Sequence, residues 1–332
     1  MKLRKILLSL GLLSLSSSLA SCGTNGYKIE PVSNQGGSVF YEIFVYSFAD
    51  SNGDGIGDLK GITNKLDYLA DLGVSYLWLT PIHKSPSYHK YDVLDYYSID
   101  PKFGTMDDFE ELVSKAKEKN IGIIMDMVFN HCSVQSAWFN NWADNIANKE
   151  SKYYDNFKWS LTPKDGYNYI NSVGVYVESR FSETMPEFNL DNPYVREEQE
   201  NIQKFWLNKG VAGFRYDAVL YYYYDQTEEN VTYMKKLVSD CKKVKEDIYQ
   251  IGEAWTTKDK ILNYAKSGMH VFNFPTSENG TPYTFGYVGY PKGIDALASS
   301  IYQTQQSYLE ANNLYASIAI ITLDDFIETT VL

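Results

Sequence analysis

The chain is 332 residues long, 44% hydrophobic and 22% charged, enough to bury a large core as one barrel-sized domain or two ordinary ones. Its net charge of −12 argues against nucleic acid or another polyanion as partner and favours neutral or cationic ligands. Aromatics reach 15%, with 29 Tyr and 6 Trp; their faces suit the apolar C–H side of sugar rings, although tyrosine is also common in strands.

Residues 1–22 read as a targeting segment. Lys2, Arg4 and Lys5 form a positive start, and the apolar run over 6–15 is too short to span a bilayer. The run closes on Leu19-Ala20-Ser21-Cys22, which resembles a bacterial lipobox. Cleavage before Cys22 and acylation of its thiol would tether the protein to the extracellular face of a bacterial membrane; ordinary secretory cleavage is the alternative. Residues 23–37 form a polar linker, and only Cys132 and Cys241 remain, at no metal-site spacing.

From residue 38 onward, strand and helix alternate. Strands are expected over 40–48, 74–79, 121–129, 211–216, 248–251, 269–274 and 314–322. Helices are expected over 62–72, 109–119, 193–208, 228–243, 258–266 and 294–311, the second opened by a capping box from Thr105 to Asp108. Repeated βαβ units imply a parallel sheet. Residues 132–190 are irregular, aromatic and rich in Asn, too long for an ordinary loop, and read as a small inserted subdomain. The sheet-forming parts are then 38–131 and 191–332.

Two strand ends carry the chemistry. Gly213-Phe-Arg215-Tyr-Asp217 and Ile251-Gly-Glu253 each end an apolar run on one carboxylate, with one helix between them. Catalytic groups gather at the carboxyl ends of barrel strands. A carboxylate beside an arginine and another in an apolar setting can have separated pKa values, as a nucleophile and a general acid require. Arg215 projects to the same face as Asp217 and would hold it ionised. Earlier, the Gly-rich loop Asp50-Ser-Asn52-Gly-Asp54-Gly-Ile56-Gly-Asp58 alternates hard oxygen donors suited to Ca²⁺. It begins like an EF-hand loop, but its twelfth position is Gly61; a solvated acidic turn is the alternative.

With Asp126-Met-Val-Phe-Asn130-His131, Met185-Pro-Glu-Phe-Asn189, Glu253-Ala-Trp255 and His89-Lys-Tyr91-Asp in the same order, the chain resembles the α-amylase family, glycoside hydrolase family 13, from about 38 to 325. The resemblance implies a TIM-type (β/α)8 barrel, here incomplete at about seven strands, with the subdomain inserted after strand three. It implies Asp217 as nucleophile, Glu253 as acid/base and Asp325 as the third carboxylate, with Tyr91, His89, His131 and Arg215 at the substrate. It also implies Ca²⁺ on the side chains of Asp50, Asn52, Asp54 and Asp58 and the Ile56 carbonyl, and Asn130 as a second calcium ligand. The substrate would be an α-1,4-glucan or malto-oligosaccharide, and a retaining enzyme should hold its two carboxyls roughly 5–5.5 Å apart.

Two departures stand out. Leu220-Tyr221 replaces the Lys-His that many members carry after the nucleophile, and Ile321-Thr-Leu323-Asp324-Asp325 stands where an Asn-His-Asp strand end is expected. The chain ends seven residues after Asp325, which reads as truncation before an eighth strand. Tyr88 in place of an exo-glucosidase Asp, with Ala218 after the nucleophile, leans toward endo action. A non-catalytic glucan-binding lipoprotein, an inactive truncated product and a transglycosylase remain open.

Overall fold

Short apolar segments buried on both faces make the central layer. In the computed structural model, which describes residues 38–274 and 294–313, six parallel strands join in one sheet. They are β1 (Phe40–Ile43), β2 (Tyr76–Leu79), β5 (Gly122–Met127), β9 (Gly213–Tyr216), β10 (Tyr249–Gly252) and β11 (His270–Val271), hydrogen-bonded in that order. Helices α2 (Leu59–Asn64), α3 (Leu66–Asp71), α4 (Met106–Glu118), α6 (Pro193–Asn208), α7 (Thr227–Lys242) and α8 (Lys258–Ala265) lie in the connections. This curled parallel sheet is the described arc of a TIM-type barrel. The seventh expected strand and the Asp325 strand end lie outside the described residues, as does the Cys22 segment.

Local chemistry explains most boundaries. Thr105 and Asp108 form the reciprocal capping box of α4, whose buried Phe109, Leu112 and Ala116 recur at helical spacing. Asn192 caps α6 through the Tyr194 N–H, and Pro193 fills the first turn, where its missing N–H costs nothing. Trp206 of α6 is fully buried, edge-on to Phe109, with its indole N–H donating to the Tyr96 carbonyl at 2.8 Å. Beneath the sheet, the Tyr216 hydroxyl donates to Gln250 Oε1 at 2.8 Å and accepts from Gln203 Nε2 at 2.6 Å, stitching β9 and β10 to α6.

Three expectations shift. The strand expected over 40–48 stops at Ile43, and the next residues wind into one helical turn, α1 (Val45–Phe48), that leaves the Tyr46 carbonyl to accept the Gly57 N–H at 2.7 Å. The helix expected over 62–72 begins earlier, at Leu59, because Asp58 caps it through the Gly61 N–H, and it breaks at Lys65 into α2 and α3. Between β2 and α4 the chain also forms an antiparallel pair, β3 (His83–Lys84) with β4 (Asp95–Ile99), which the alternation of the sequence did not suggest.

Between β5 and β9 the chain builds its own layer. Helix α5 (Ala137–Asn145), capped by Ser136, precedes the antiparallel sheet β6 (Trp159–Ser160), β8 (Val175–Glu178) and β7 (Tyr167–Ile170). Phe157 stacks on Phe188 and packs edge-on against Phe139 and Trp142, giving this segment a core of its own. Cys132 and Cys241 are both buried free thiols.

Gly213 of β9 leaves no room for a side chain beside β10. A Cβ there would lie 2.1 Å from the Tyr249 carbonyl oxygen. Gly213→Ala should therefore destabilise the protein by about 1–3 kcal/mol and lower turnover together, because the strands it separates carry Asp217 and Glu253. Denaturant unfolding and kinetics on the same samples check this; an alanine variant as stable and active as the parent would contradict it.

Candidate active site

Parallel register sets the site. Asp126 pairs with Arg215 across β5 and β9, and Ile251 pairs with Arg215 across β9 and β10, so three neighbouring strands deliver their acids around one guanidinium. Arg215 Nη1 donates to Asp126 Oδ1 at 2.8 Å and Oδ2 at 3.0 Å, and to Asp217 Oδ1 at 2.8 Å. Its Nη2 donates to Glu253 Oε2 at 2.6 Å. The guanidinium also lies over the rings of Trp78, at 5.0 Å, and Tyr91, at 5.8 Å.

One cation faces three carboxyls away from water, so the cluster resists full ionisation. Burial raises the Glu253 pKa; Arg215 opposes this, while the charge of Asp217 adds to it. Burial likewise pushes Asp126 up to about 7, against the pull of Arg215. Arg215 itself stays charged, its pKa raised by its acids despite burial. Glu253 and Asp217 are in hydrogen-bonding contact. Both acids are held side by side on the same guanidinium.

The turn after Asp217 is strained in a useful direction. Ala218 adopts the left-handed conformation, φ 47° and ψ 44°, which a residue with a Cβ occupies at a cost. In that conformation its N–H donates to Glu253 Oε2 at 3.1 Å, and the next N–H, of Val219, donates to the Glu253 carbonyl at 3.1 Å.

Tyr91 and His131 border the cluster. The Tyr91 hydroxyl donates to Asp126 Oδ2 at 3.4 Å, beside the Trp78 indole N–H at 3.1 Å. Burial lowers the His131 pKa to about 4, so the ring is neutral, and its Nε2 makes no well-formed hydrogen bond. A buried ring nitrogen of this kind needs a polar partner, and the Tyr91 backbone lies beside the ring. His89 instead turns to its own loop: its Nδ1 accepts the Tyr91 N–H at 3.1 Å, so it shapes the turn that presents Tyr91.

Asp126, Trp78 and Ala218 were not singled out from sequence as site residues, and neither was Lys90. Lys90 sits between His89 and Tyr91 at φ 67°, almost fully buried, with Nζ 2.7 Å from Asp100 Oδ2, 3.3 Å from the Ser85 carbonyl and over the Phe103 ring. No pattern in the sequence marks such a lysine as internal, since lysines are rarely buried unless paired.

The loop over 50–58 is organised by its own side chains. Asp50 accepts the N–H groups of Asn52, Gly53 and Gly55, Asn52 Oδ1 accepts that of Asp54, and Asp54 Oδ1 accepts that of Ile56. Asp58 holds Ser51 with one oxygen and caps α2 with the other. Every donor offered is a hard oxygen, and a carboxylate has lone pairs beyond these bonds, so the chemistry fits Ca²⁺. Among the described residues, however, no three His, Cys, Asp or Glu side chains are gathered for a metal, so ligation would draw on Asn52 and the Ile56 carbonyl as well. Elsewhere, Asn130 contacts the Glu187 carboxyl, whose pKa burial raises to about 7.

The sequence matches the alpha amylase catalytic domain over residues 42–290. It is 47% identical over 244 residues to Alpha-amylase 3 of Dictyoglomus thermophilum, covering 73% of this chain and 48% of that protein. It is 40% identical over 197 residues to an oligo-1,6-glucosidase of Bacillus cereus, covering 55% and 35%. Among solved structures, Eubacterium rectale Amy13B is similar with a TM-score of 0.78 at 40% identity, covering 83% of this chain and 56% of that one. The α-amylase from H.orenii follows at 0.75 and 37%, covering 85% and 60%. The chain spans about half the length or less of these curated relatives.

Because Lys90 and Asp100 satisfy one another out of water, Lys90→Met should cost about 3–5 kcal/mol by leaving a buried carboxylate unpaired. Asp100→Asn in the same background should restore part of the loss. Thermal unfolding of the three proteins checks this, and an unchanged Lys90→Met midpoint would refute it.

Proposed function

We propose, from the premise that the chain belongs to the alpha-amylase family, that it is a retaining α-glucan hydrolase acting on α-1,4 bonds. The observation that carries this reading is Arg215 joining Asp217 and Glu253 at adjacent strand ends. Glu253, whose pKa burial raises, acts in its protonated form and donates its proton to the glycosidic oxygen as the bond to the anomeric carbon breaks. Asp217 bonds to that carbon from the opposite face, giving a covalent glycosyl-enzyme. Glu253, now a carboxylate, takes a proton from water; the hydroxide oxygen bonds to the anomeric carbon, Asp217 leaves, and both acids return to their starting states. Tyr91 stacks on the reacting ring and His131 donates to one of its hydroxyls. Two inversions leave the α-configuration intact.

Glu253→Gln should lower kcat on soluble starch by about 10²–10⁴-fold, the usual worth of a positioned acid. Since the working form of Glu253 is protonated and its pKa is raised, the alkaline limb of the parent's pH profile should lie above the ordinary carboxylate range. Reducing-end release across pH checks both statements. Starch binding without reducing-end release by the parent would favour a non-catalytic glucan binder instead.

The loop of Asp50, Asn52, Asp54, Ile56 and Asp58 is proposed to hold Ca²⁺, which there would pin the turn that caps α2 and supply no step of the reaction. The proposal predicts a higher unfolding midpoint with added Ca²⁺, reversed by chelator and abolished by Asp54→Ala; a calcium-independent midpoint would overturn it. A lipid anchor on Cys22, holding the protein at the outer membrane face, is proposed from the sequence of the leader alone.

A further inference from the structure

Behind the reaction centre, on the helix side of the sheet, one buried hydroxyl gathers three elements. Side chains alternate along a strand, so Arg215 and Asp217 share one face of β9 while Tyr216 between them points to the other. Tyr216 is fully buried, and its hydroxyl donates to Gln250 Oε1 of β10 at 2.8 Å. It accepts from Gln203 Nε2 of α6 at 2.6 Å, and the same amide donates to the Leu237 carbonyl of α7 at 3.3 Å. Gln203 and Gln250 are 1% and 4% exposed, so bulk water is not their alternative partner. Burial also raises the phenol pKa well above its ordinary value, which keeps the proton that the bond to Gln250 needs.

Packing alone does not call for these polar groups. A phenylalanine fills nearly the same volume as a tyrosine, and apolar residues facing it would need no hydrogen bonds. What a buried hydrogen-bonded chain adds to a core is a fixed mutual position of the elements that make it. The backbone shows which position is fixed. The Tyr216 carbonyl accepts the Glu253 N–H at 2.9 Å, and Gly252 lies opposite Tyr216 in the parallel register. Asp217 is tied on the other side of β9, its N–H donating to the Met127 carbonyl of β5 at 3.1 Å. Tyr216 therefore reaches Glu253 twice, by its own carbonyl and through Gln250 three residues earlier on β10. A displacement of β10 against β9 would move Glu253 more than Asp217 and disturb its 2.6 Å contact with Arg215.

We infer, resting on the function proposed above, that Tyr216 is a positioning residue for the reaction: its hydroxyl, held between Gln203 and Gln250, fixes β10 against β9 and so places the Glu253 carboxyl for proton transfer to the departing oxygen. Tyr216 itself faces away from the reacting atoms and acts only through Glu253. A small misplacement costs a positioned acid much of its effect, so loss of the hydroxyl shows first on leaving groups that need a proton.

The test compares maltoheptaose, whose leaving sugar must be protonated, with α-maltosyl fluoride, whose fluoride departs with little help from an acid. The measure is kcat/KM, which ends at formation of the glycosyl-enzyme. Tyr216→Phe should lower it by about tenfold or more on maltoheptaose and by less than about threefold on the fluoride. Gln250→Met, which removes the partner on the other strand, should shift the ratio of the two in the same direction, and it decides the matter if Tyr216→Phe does not fold. Tyr216→Phe/Gln203→Leu/Gln250→Met removes the whole polar chain, and should recover much of the thermal midpoint lost in Tyr216→Phe without recovering the ratio. An unchanged ratio in the folded single variants overturns the positioning role, and so does a triple variant that restores midpoint and ratio together. A parent that cleaves neither substrate sinks the hydrolase reading. The placement of Glu253 is then decided by its own titration, followed on the ¹³C carboxyl resonance that Glu253→Gln lacks. That titration should move by about half a pH unit or more in Tyr216→Phe, and an unmoved one overturns the inference.

Discussion

One guanidinium organises this protein. Arg215 is 3% exposed and hydrogen-bonds three carboxylates that arrive on three adjacent strands. Such a group cannot be moved or lost without leaving buried charge uncompensated, so strand order and register are bound to the chemistry they present. The register that pairs Arg215 with Asp126 on one side and Ile251 on the other puts Asp217 and Glu253 each two residues further along their strands. Parallel strands with even spacing make that delivery possible; a one-residue slip would turn every one of these side chains to the other face.

The same arginine sets the electrostatics of the acids. With three carboxyls to one cation, full ionisation of the cluster is disfavoured, and burial raises the pKa values of Asp126 and Glu253. Ala218 adds an N–H to Glu253 from a backbone conformation that ordinary residues avoid. The strain of that turn, the close strand approach at Gly213 and the buried Lys90–Asp100 pair all hold parts of the reaction centre in place.

Much of this was legible in the chain. Helix α6 begins and ends where its Asn-Pro start and amphipathic spacing place it, and the Thr105–Asp108 box opens α4 as written. The apolar runs ending in Asp217 and Glu253 read as neighbouring parallel strands, and the structure brings both acids onto Arg215 at those strand ends. Tertiary effects hid the rest. Strand β1 ends early because its continuation turns to receive Gly57, and Lys90 looks like a surface residue until Asp100, ten positions later, folds back to meet it. The contact of Phe181 with Tyr221 was invisible for the same reason, since they come from segments that only the fold brings together.

Covalent trapping tests the role of Asp217 most directly. A ring-fluorinated α-glucosyl fluoride carries a leaving group good enough to form the glycosyl-enzyme and a substituent that slows its breakdown. Mass spectrometry of the digested protein should find the sugar on the peptide containing Asp217, and no adduct in Asp217→Asn. Labelling of Asp126 or Glu253, or labelling that survives Asp217→Asn, would contradict the assignment of Asp217 as the group that Arg215 positions for attack.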